Sequence, residues 1–475
     1  MREYISRYSP NYIKTILYML QSSSYNITDY LKWVKRTRDF RTVQQRATLD
    51  MTKKVWLLSL VIGMIIVMAI ILALALFTVK PPSLWHICTG ILVIILLPYI
   101  VAYGVVLPLW AGEQFVQKPR VRRIVTNATL SRQQMKGIVI AVAGSFGKTT
   151  FKESLRTILE EGLTVAATPG NKNTMLGTSE FITSLKGNED VVICELGESH
   201  VGDVRELCEL VRPDLGVITG INEAHLVTFG TIERTVNTIF ELQDFLDDKP
   251  LYKNGESKLV LSRIKDNDPY VYNSQGVHGW SVNDVEISLH GTKFTASKKN
   301  KTVWAESKLI GEHQVGPLVA CIDIADRLGL SIAEISEGIK ETKAFEHRMQ
   351  PYSLNGATII DDTYNGNVDG IMAGLKLLKQ ESGRRIYVTP GLVEHGDEAE
   401  NVHQKIGIAI ADSADLVILM KNSVTAFIES GLAQANYQGE LMIVDNPLKF
   451  YENLEHFVAK DDVVLMQNDW TDNYS

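Results

Sequence analysis

A glycine-rich stretch with a lysine and two threonines carries the clearest chemical pattern of the chain: Gly144-Ser145-Phe146-Gly147-Lys148-Thr149-Thr150. The apolar run 138–143 precedes it and predicts a buried strand, and apolar residues at helical spacing follow it. A strand, a glycine turn and a helix in this order present backbone N–H groups to phosphate. We expect Lys148 to bind the β- and γ-phosphates of a nucleotide and Thr149 to hold Mg²⁺. The longer phosphate-loop pattern needs a glycine where this chain has Val142, so the pattern is the shorter form.

Two more polar side chains come directly after predicted strands. Glu195 follows the apolar run 191–194, and His225 lies shortly after the run 215–219. Because ligands of parallel sheets bind beyond the carboxyl ends of the strands, we expect both side chains near Lys148. A carboxylate is a hard oxygen ligand that suits Mg²⁺. Taken alone, each residue could also be a solvated carboxylate or an ordinary loop histidine.

The elements that position these residues alternate between strands and helices from residue 137 onward. This order predicts an α/β fold with a parallel sheet covered by helices on both faces. Alternating apolar residues in 280–310 indicate an antiparallel insertion. A second α/β unit begins near Phe345. We therefore predict a central P-loop ATPase domain over 137–344 and a C-terminal Rossmann-like domain over 345–475.

Two uncharged apolar runs, 55–79 and 84–110, are each long enough to cross a membrane as a helix. Lysines and arginines precede the first run and follow the second, which places both ends of the hairpin on the cytoplasmic side. Residues 1–54 form a basic segment that either lies on the inner leaflet or folds as a small cytoplasmic helical pair. Residues 113–136 are interpreted as a linker or an entry helix. We expect a cytoplasmic-membrane protein, anchored by two helices within 55–112, with its catalytic domains in the cytoplasm.

Composition excludes several other classes. The 475 residues carry a net charge of −7, so bulk attraction to nucleic acid is not expected. The four cysteines are scattered without the paired spacing of a zinc site or a disulfide framework. This usage suits a reducing compartment.

Several motifs in a fixed order resemble the Mur ligase family from residue 137 to the C-terminus, most of all its branch that adds D-alanyl-D-alanine, in a membrane-anchored form. Besides the phosphate loop they are Gly170-Asn-Lys-Asn173, Glu195-Leu-Gly197, Asn222-Glu-Ala-His225, Gly311-Glu-His313, His347-Arg348, Asp361-Asp-Thr-Tyr-Asn-Gly-Asn367 and Gly391-Leu-Val-Glu-His-Gly396. Each motif alone is weak, but their shared order is specific.

The resemblance implies amide formation that depends on ATP and Mg²⁺. A substrate carboxylate is phosphorylated to an acyl phosphate, and the amine of an amino acid or dipeptide displaces the phosphate. The implied catalytic residues are Lys148, Glu195, His225 and Arg348, with Thr149, Glu195 and His225 as metal ligands. ATP would be bound by residues 144–150 together with Asn222, His313, Arg348 and Asp361. The substrates would be bound by Asn171, Asn173, Tyr364, Asn365, Asn367 and Glu394.

One departure from the family concerns the metal site. Many members carry a carbamylated lysine that bridges Mg²⁺, and the corresponding position here is Ile239. Either another acid such as Glu241 or Glu223 replaces it, or the second metal site is weak, or catalysis is impaired. Two alternatives to the ligase therefore stay open: a nucleotide-binding scaffold that has lost activity, and another amide ligase of the superfamily, of polyglutamate or polyamide type.

A second departure concerns the acceptor. The family's N-terminal domain, which holds the uridine diphosphate of the soluble precursor, has no recognisable counterpart, and the basic segment and hairpin stand in its place. We therefore expect the acceptor to be a cell-wall glycopeptide or a lipid-linked precursor at the membrane rather than a soluble nucleotide precursor.

Overall fold

The computed structural model describes residues 6–23, 25–41, 49–81, 83–170, 172–222, 229–265, 267–364, 366–392 and 398–467. The chain divides into two compact units. One ends at Arg123 and the other begins at Ile124.

The first unit is helical. Its elements are α1 (Tyr12–Ser22), α2 (Ile27–Arg36), α3 (Lys53–Thr78), α4 (Leu84–Gly104), α5 (Val106–Gly112), a π-helical turn at Glu113–Gln117 and the start of α6 (Lys118–Gln134). The region 113–136, interpreted from sequence as a linker or an entry helix, is thus helical up to Gln134. Within the described residues, two helical stretches, Lys53–Thr78 and Leu84–Gln134, are long and apolar enough to cross a membrane by length and composition.

Helices α1 and α2 pack against the ends of α3 and α4 that adjoin the basic segments. The Tyr12 hydroxyl donates to the carbonyl of Pro98 over 3.0 Å, and the Tyr30 hydroxyl donates to the carbonyl of Ala102 over 2.9 Å. The described part of the basic segment thus forms two helices that pack on the hairpin, and its position relative to a membrane stays a prediction.

The central domain of the second unit is built on a six-stranded sheet. Its elements are β1 (Ile138–Ala143), α7 (Lys148–Leu159), β2 (Val165–Ala167), α8 (Met175–Ser184), β3 (Val191–Glu195), α9 (Asp203–Val211), β4 (Leu215–Ile218), α10 (Ile232–Leu246), β5 (Leu251–Asn254), α11 (Lys258–Leu261) and β6 (Val271–Tyr272). The strand order is β2-β3-β1-β4-β5-β6, and every pair in it is parallel. The predicted strand 138–143 is confirmed.

Strand β1 lies in the interior of this sheet because both of its faces are apolar. Ile140 and Val142 pack in a core that includes Phe151 of α7, whereas Val139 and Ala141 pack in a second core on the other face. A strand with two apolar faces is stable only between two layers of helices. The phosphate loop therefore leaves the sheet at its centre, between β3 and β4.

An antiparallel sheet and two helices complete the central domain. The strands are β7 (Gly276–Val277), β8 (Trp280–Ser288), β9 (Gly291–Lys298) and β10 (Lys301–Ser307), followed by α12 (Val315–Arg327) and α13 (Ile332–Glu341). Strands β8, β9 and β10 pair antiparallel, so the predicted insertion is confirmed.

The C-terminal domain is a second α/β layer structure. It comprises β11 (Gln350–Leu354), β12 (Ala357–Asp362), α14 (Val368–Leu378), β13 (Arg385–Thr389), α15 (Ala399–Ala411), β14 (Leu416–Met420), α16 (Thr425–Gln434), β15 (Glu440–Val444), α17 (Pro447–Glu452), α18 (Leu454–Phe457) and β16 (Val463–Gln467). The order is β11-β12-β16-β13-β14-β15, with only the edge strand β11 antiparallel among the described strands. The predicted α/β fold class is confirmed in both domains.

Candidate nucleotide and metal site

The phosphate loop is a glycine turn held against the end of β4. Gly144 and Gly147 have φ angles of +142° and +80°, a region that side-chain-bearing residues rarely adopt. A Cβ atom on Gly144 would also lie 2.3 Å from the Thr219 hydroxyl oxygen. The backbone N–H groups of Ser145 and Phe146 donate to the carbonyl of Gly220 over 2.7 and 3.3 Å. Backbone geometry therefore favours glycine at both positions, and close packing requires it at Gly144.

The N-terminus of α7 carries the two side chains that sequence assigned to phosphate and metal. The first turn of a helix leaves its N–H groups without intrahelical partners and carries a partial positive charge. Thr149 is buried, and its hydroxyl donates to Oε2 of Glu195 over 3.0 Å. Lys148 Nζ contacts the carbonyl of Gly144 and lies 2.9 and 3.0 Å from the two carboxylate oxygens of Glu198. The phosphate-loop lysine thus has a carboxylate partner that sequence reasoning missed.

Glu195 is the last residue of β3 and stands at the centre of a buried polar cluster. Strand register places it opposite Val142, just before the phosphate loop. Its Oε1 accepts from Asn173 Nδ2 over 3.0 Å, and its Oε2 lies 3.3 Å from Lys152 Nζ. Three side chains therefore hold Glu195, two from α7 and one from the loop before α8, and they fix the direction of its carboxylate.

Lys152 was also missed from sequence, although its side chain is fully buried. Its ammonium donates to the carbonyls of Thr168 and Gly170, each over 2.7 Å, and lies 3.2 Å from Glu153. It occurs one helical turn after Lys148, so it lies on the same side of α7. That spacing was the only signal in the sequence that could have revealed it.

Arg348 precedes β11 and brings a cation from the C-terminal domain. Its guanidinium carbon lies 4.7 Å from the ring centroid of Tyr364, within the range of a cation–π contact. Burial lowers the pKa of Arg348 below its usual value, and the nearby Tyr364 and Glu195 oppose that lowering. Its Nε is buried without a hydrogen-bond partner. The electrostatic interaction with Glu195 links this domain to the phosphate loop.

The two aspartates at the end of β12 are largely occupied by local hydrogen bonds. Asp361 lies 2.8 Å from His347 Nδ1 and accepts from the hydroxyl of Thr363 over 2.7 Å. Asp362, which sequence reasoning did not assign, accepts from Gln467 Nε2 over 2.8 Å, and burial raises the pKa of its carboxyl. Asn367 Oδ1 accepts from the N–H of Gly370 and caps α14. Asn367 therefore has a structural role as a helix cap, and its substrate-binding role stays a prediction.

The other predicted residues are distributed as follows. His313 is exposed, with its Nε2 2.8 Å from Gln314 Nε2, and Asn222 is half-buried just after β4. The predicted positions His225, Asn171, Asn365 and Glu394 lie outside the described residues.

The position at which many family members carry the metal-bridging lysine is surrounded by apolar side chains in this structure. Ile239 of α10 is fully buried in the core that includes Val236 and Phe240. Glu241, which we considered as a substitute, instead accepts from the N–H groups of Gly202 and Arg205 at the start of α9. That alternative is wrong because the carboxylate points to α9. Within the described ranges, no three His, Cys, Asp or Glu side chains form a metal-binding group, and Glu223 lies outside those ranges.

Together, the fold and the site define a two-domain α/β protein with a phosphate loop between two interior strands and an arginine from the second domain. Family comparisons give the same class. The Mur ligase middle domain matches residues 142–325, and the Mur ligase glutamate ligase domain matches residues 347–467. The chain therefore belongs to the Mur ligase family.

Curated relatives are moderately similar. The UDP-N-acetylmuramoyl-tripeptide--D-alanyl-D-alanine ligase of Escherichia coli is 27% identical over 288 residues, which is 58% of this chain and 63% of that protein. The ligase of the same name from Bacillus subtilis is 25% identical over 347 residues, 70% of this chain and 74% of that protein. The chain thus spans less than two thirds of the length of the E. coli relative.

Solved structures share the fold. MurF from Acinetobacter baumannii superposes with a TM-score of 0.64 at 22% identity, covering 74% of this chain and 77% of that one. MurF ligase from Thermotoga maritima in complex with ADP gives 0.61 at 24% identity, covering 73% and 80%.

Proposed function

We propose that this chain is an ATP-dependent amide ligase that joins an amine donor to the peptide carboxylate of a cell-wall glycopeptide. The observation that carries the proposal is the Thr149 hydroxyl 3.0 Å from the Glu195 carboxylate, next to Lys148 at the same helix N-terminus. The names of the relatives support D-alanyl-D-alanine as the donor and a muramoyl tripeptide as the acceptor.

The residues present fit ATP and Mg²⁺. Thr149 and Glu195 offer hard oxygen donors of the kind that Mg²⁺ prefers. Ser145 Oγ and Arg348 Nε are buried without hydrogen-bond partners, and phosphate oxygens would satisfy both. Bound Mg²⁺ would neutralise charge on the transferred phosphoryl group. His225 would be a further ligand, as the family resemblance implies.

The proposed chemistry has two steps. A substrate carboxylate oxygen forms a bond to the γ-phosphorus of ATP while ADP leaves, which gives an acyl phosphate. The donor amine then attacks the acyl carbon, inorganic phosphate leaves and the amine loses a proton. The cations of Lys148 and Arg348 would stabilise the charge that spreads over the phosphoryl oxygens. Asn173 and Tyr364 would contact the substrates at the edges of the two domains.

We further propose that α3 and α4 anchor the enzyme in the cytoplasmic membrane with its catalytic domains in the cytoplasm. Large apolar side chains on both helices are exposed, among them Leu60, Met68 and Trp85. Exposed apolar surface of this extent is unfavourable in water and favourable in lipid. Anchoring would concentrate the enzyme near a membrane-borne, lipid-linked acceptor. Extraction of membranes at alkaline pH should leave the protein in the pellet, and its release would contradict this placement.

A reconstituted reaction tests the ligase. The full chain in detergent is incubated with ATP, Mg²⁺, D-alanyl-D-alanine and either a UDP-linked or a lipid-linked muramoyl tripeptide. Phosphate release and product mass are measured. We expect a new amide product that requires all components, and we expect Lys148→Ala to abolish it. The control is Lys308→Ala, because the Lys308 side chain is 59% exposed and lies outside the site.

The same experiment separates two further possibilities. Turnover with the UDP-linked acceptor alone would refute the lipid-linked substrate but not the ligase. The buried Ile239 favours a second function, a nucleotide-binding scaffold without catalysis. In that case the wild type and Lys148→Ala would be equally inactive although the wild type binds ATP.

A further inference from the structure

The first 123 residues and the rest of the chain differ strongly in charge. Residues 1–123 contain 16 lysines and arginines and 5 aspartates and glutamates, whereas residues 124–475 contain 32 and 50. The first part is therefore basic although the whole chain has a net charge of −7. Such an asymmetry indicates that the basic part has an anionic partner of its own.

Ten exposed lysines and arginines lie at one end of the hairpin formed by α3 and α4. Some are on or just after α2, which lies at that end because Tyr30 donates to the carbonyl of Ala102 and because α2 contacts α5. The others lie at the start of α3 and on α6, which continues the second helix of the hairpin. We call these residues the basic collar: Lys32, Lys35, Arg36, Arg38, Arg41, Lys53, Lys118, Arg120, Arg122 and Arg123.

Local carboxylates neutralise only part of the basic collar. Three of them lie between 2.8 and 3.8 Å from a collar cation, on Lys32, Arg41 and Lys118. These pairs are largely exposed, and exposed ion pairs are weak. The acidic side chains in the described part of residues 1–123 are Asp29, Asp39, Asp50 and Glu113. Four carboxylates do not balance ten cations, so the basic collar keeps an excess of positive charge.

The length of the hairpin places the basic collar at the level of lipid headgroups. Helix α3 has 26 residues and is about 39 Å long, whereas the hydrocarbon core of a bilayer is about 30 Å thick. At the collar end, Val55 and Leu58 are buried in a cluster with α1 and α2, whereas Met68 further along α3 is exposed. The exposed Trp56 and Trp110 at the collar end are typical of the membrane–water interface. The covered end of the hairpin therefore suits the polar interface, and the exposed part suits the lipid chains.

We propose that the basic collar binds the headgroups of anionic phospholipids in the cytoplasmic leaflet. This inference rests on the proposed membrane anchoring, and it adds the class of lipid that the anchor selects. Helix α2 buries Tyr30 and Val34 against the hairpin, which leaves its lysines for the headgroups. Each lysine or arginine near an anionic surface strengthens association about fivefold. The collar thereby opposes the repulsion between an anionic leaflet and the acidic remainder of the chain.

Electron paramagnetic resonance of spin-labelled lipids measures this selection. The full chain is placed in phosphatidylcholine nanodiscs that contain a trace of spin-labelled phosphatidylglycerol or spin-labelled phosphatidylcholine. We expect the wild type to retain phosphatidylglycerol about fivefold more strongly than phosphatidylcholine. The ratio should fall towards equality in about 1 M NaCl, because salt at that concentration shortens the Debye length to about 3 Å.

Two variants with the same change in net charge make the test specific. The collar variant should retain the two labels almost equally, and it combines K32Q, K35Q, R36Q, K118Q, R120Q and R123Q. The control variant removes six exposed lysines beyond residue 123 and should behave as the wild type, and it combines K186Q, K258Q, K265Q, K299Q, K308Q and K340Q.

Equal retention of both labels by the wild type would overturn the proposal, and that measurement needs no variant. An equal loss of selection in the collar and control variants would overturn it as well. So would displacement of phosphatidylglycerol by inorganic pyrophosphate at an ionic strength where NaCl leaves it bound, because the collar would then be a phosphate site for a substrate. A protein that stays in the pellet on alkaline extraction but retains the labels equally keeps its anchor, so failure of this inference is distinguishable from failure of the anchoring.

Discussion

Replacing Lys152 by methionine removes a buried ammonium while leaving a side chain of similar length and shape. The ammonium donates to the carbonyls of Thr168 and Gly170 and lies 3.3 Å from Glu195. In the variant, both carbonyls lose a charged donor and Glu195 loses a neighbouring cation. The packing of the methylene groups is kept, so the change isolates the charge.

The expected cost follows from the burial of this cluster. Removing one partner of a buried ion pair destabilises a protein by about 3–5 kcal/mol, because the other charge stays buried without compensation. For a domain of this size, each kcal/mol shifts Tm by roughly 2–4 °C. We therefore expect Lys152→Met to lower the Tm of the unit that begins at Ile124 by roughly 6–20 °C.

Scanning calorimetry of the full chain in detergent measures this shift. The matched control is Lys308→Met, because the Lys308 side chain is 59% exposed and its nearest carboxylate oxygen, on Glu341, is 3.9 Å away. Exposed ion pairs contribute about 0–1 kcal/mol, so the control should move Tm by no more than roughly 4 °C. If the two variants lowered Tm equally, the buried ammonium of Lys152 would contribute no more to stability than an exposed lysine does.

Two other substitutions test assignments made at the site. Ile239→Lys should destabilise the central domain by about 3 kcal/mol or more, since it places an unpaired charge in an apolar core, and it should not increase Mg²⁺-dependent turnover. Calorimetry and the ligase assay check this, with the exposed Leu261→Lys as the control. Asn367→Ala should lower stability by about 1 kcal/mol through loss of the helix cap, and Asn367→Asp should retain it. Thermal unfolding and the KM of the acceptor are measured for both.

Each of these has a clear contrary result. A folded Ile239→Lys with unchanged Tm would mean that the position can accept a charged group after all. A raised acceptor KM in Asn367→Ala at unchanged Tm would favour the predicted substrate-binding role over capping.

The sequence predicted the order of the elements well because their signals are local. The apolar run before Gly144 has two buried faces, so it forms an interior parallel strand, and the antiparallel insertion follows from the alternation around Ile287. The glycine turn was predictable because the φ angles of Gly144 and Gly147 exclude most other residues.

The partners within the site were not predictable to the same degree. Lys152 and Glu198 carry no motif of their own, and their roles depend on strand register and on which face of α7 is buried. The family resemblance predicts that Asn367 binds substrate. In the structure its amide oxygen caps a helix, which the resemblance did not indicate. When a side chain has several possible partners, the packing of the fold decides which of them it contacts.

The sequence by itself thus determined the phosphate loop, the two α/β domains and the apolar hairpin, since strand and helix periodicity and backbone conformation are properties of neighbouring residues. Only the tertiary structure decided that Lys148 pairs with Glu198, that Lys152 and Asn173 hold Glu195, and that Glu241 points to α9. The physical reason is that a buried charge must find its partner across the sheet, at distances in space that the spacing along the chain does not encode.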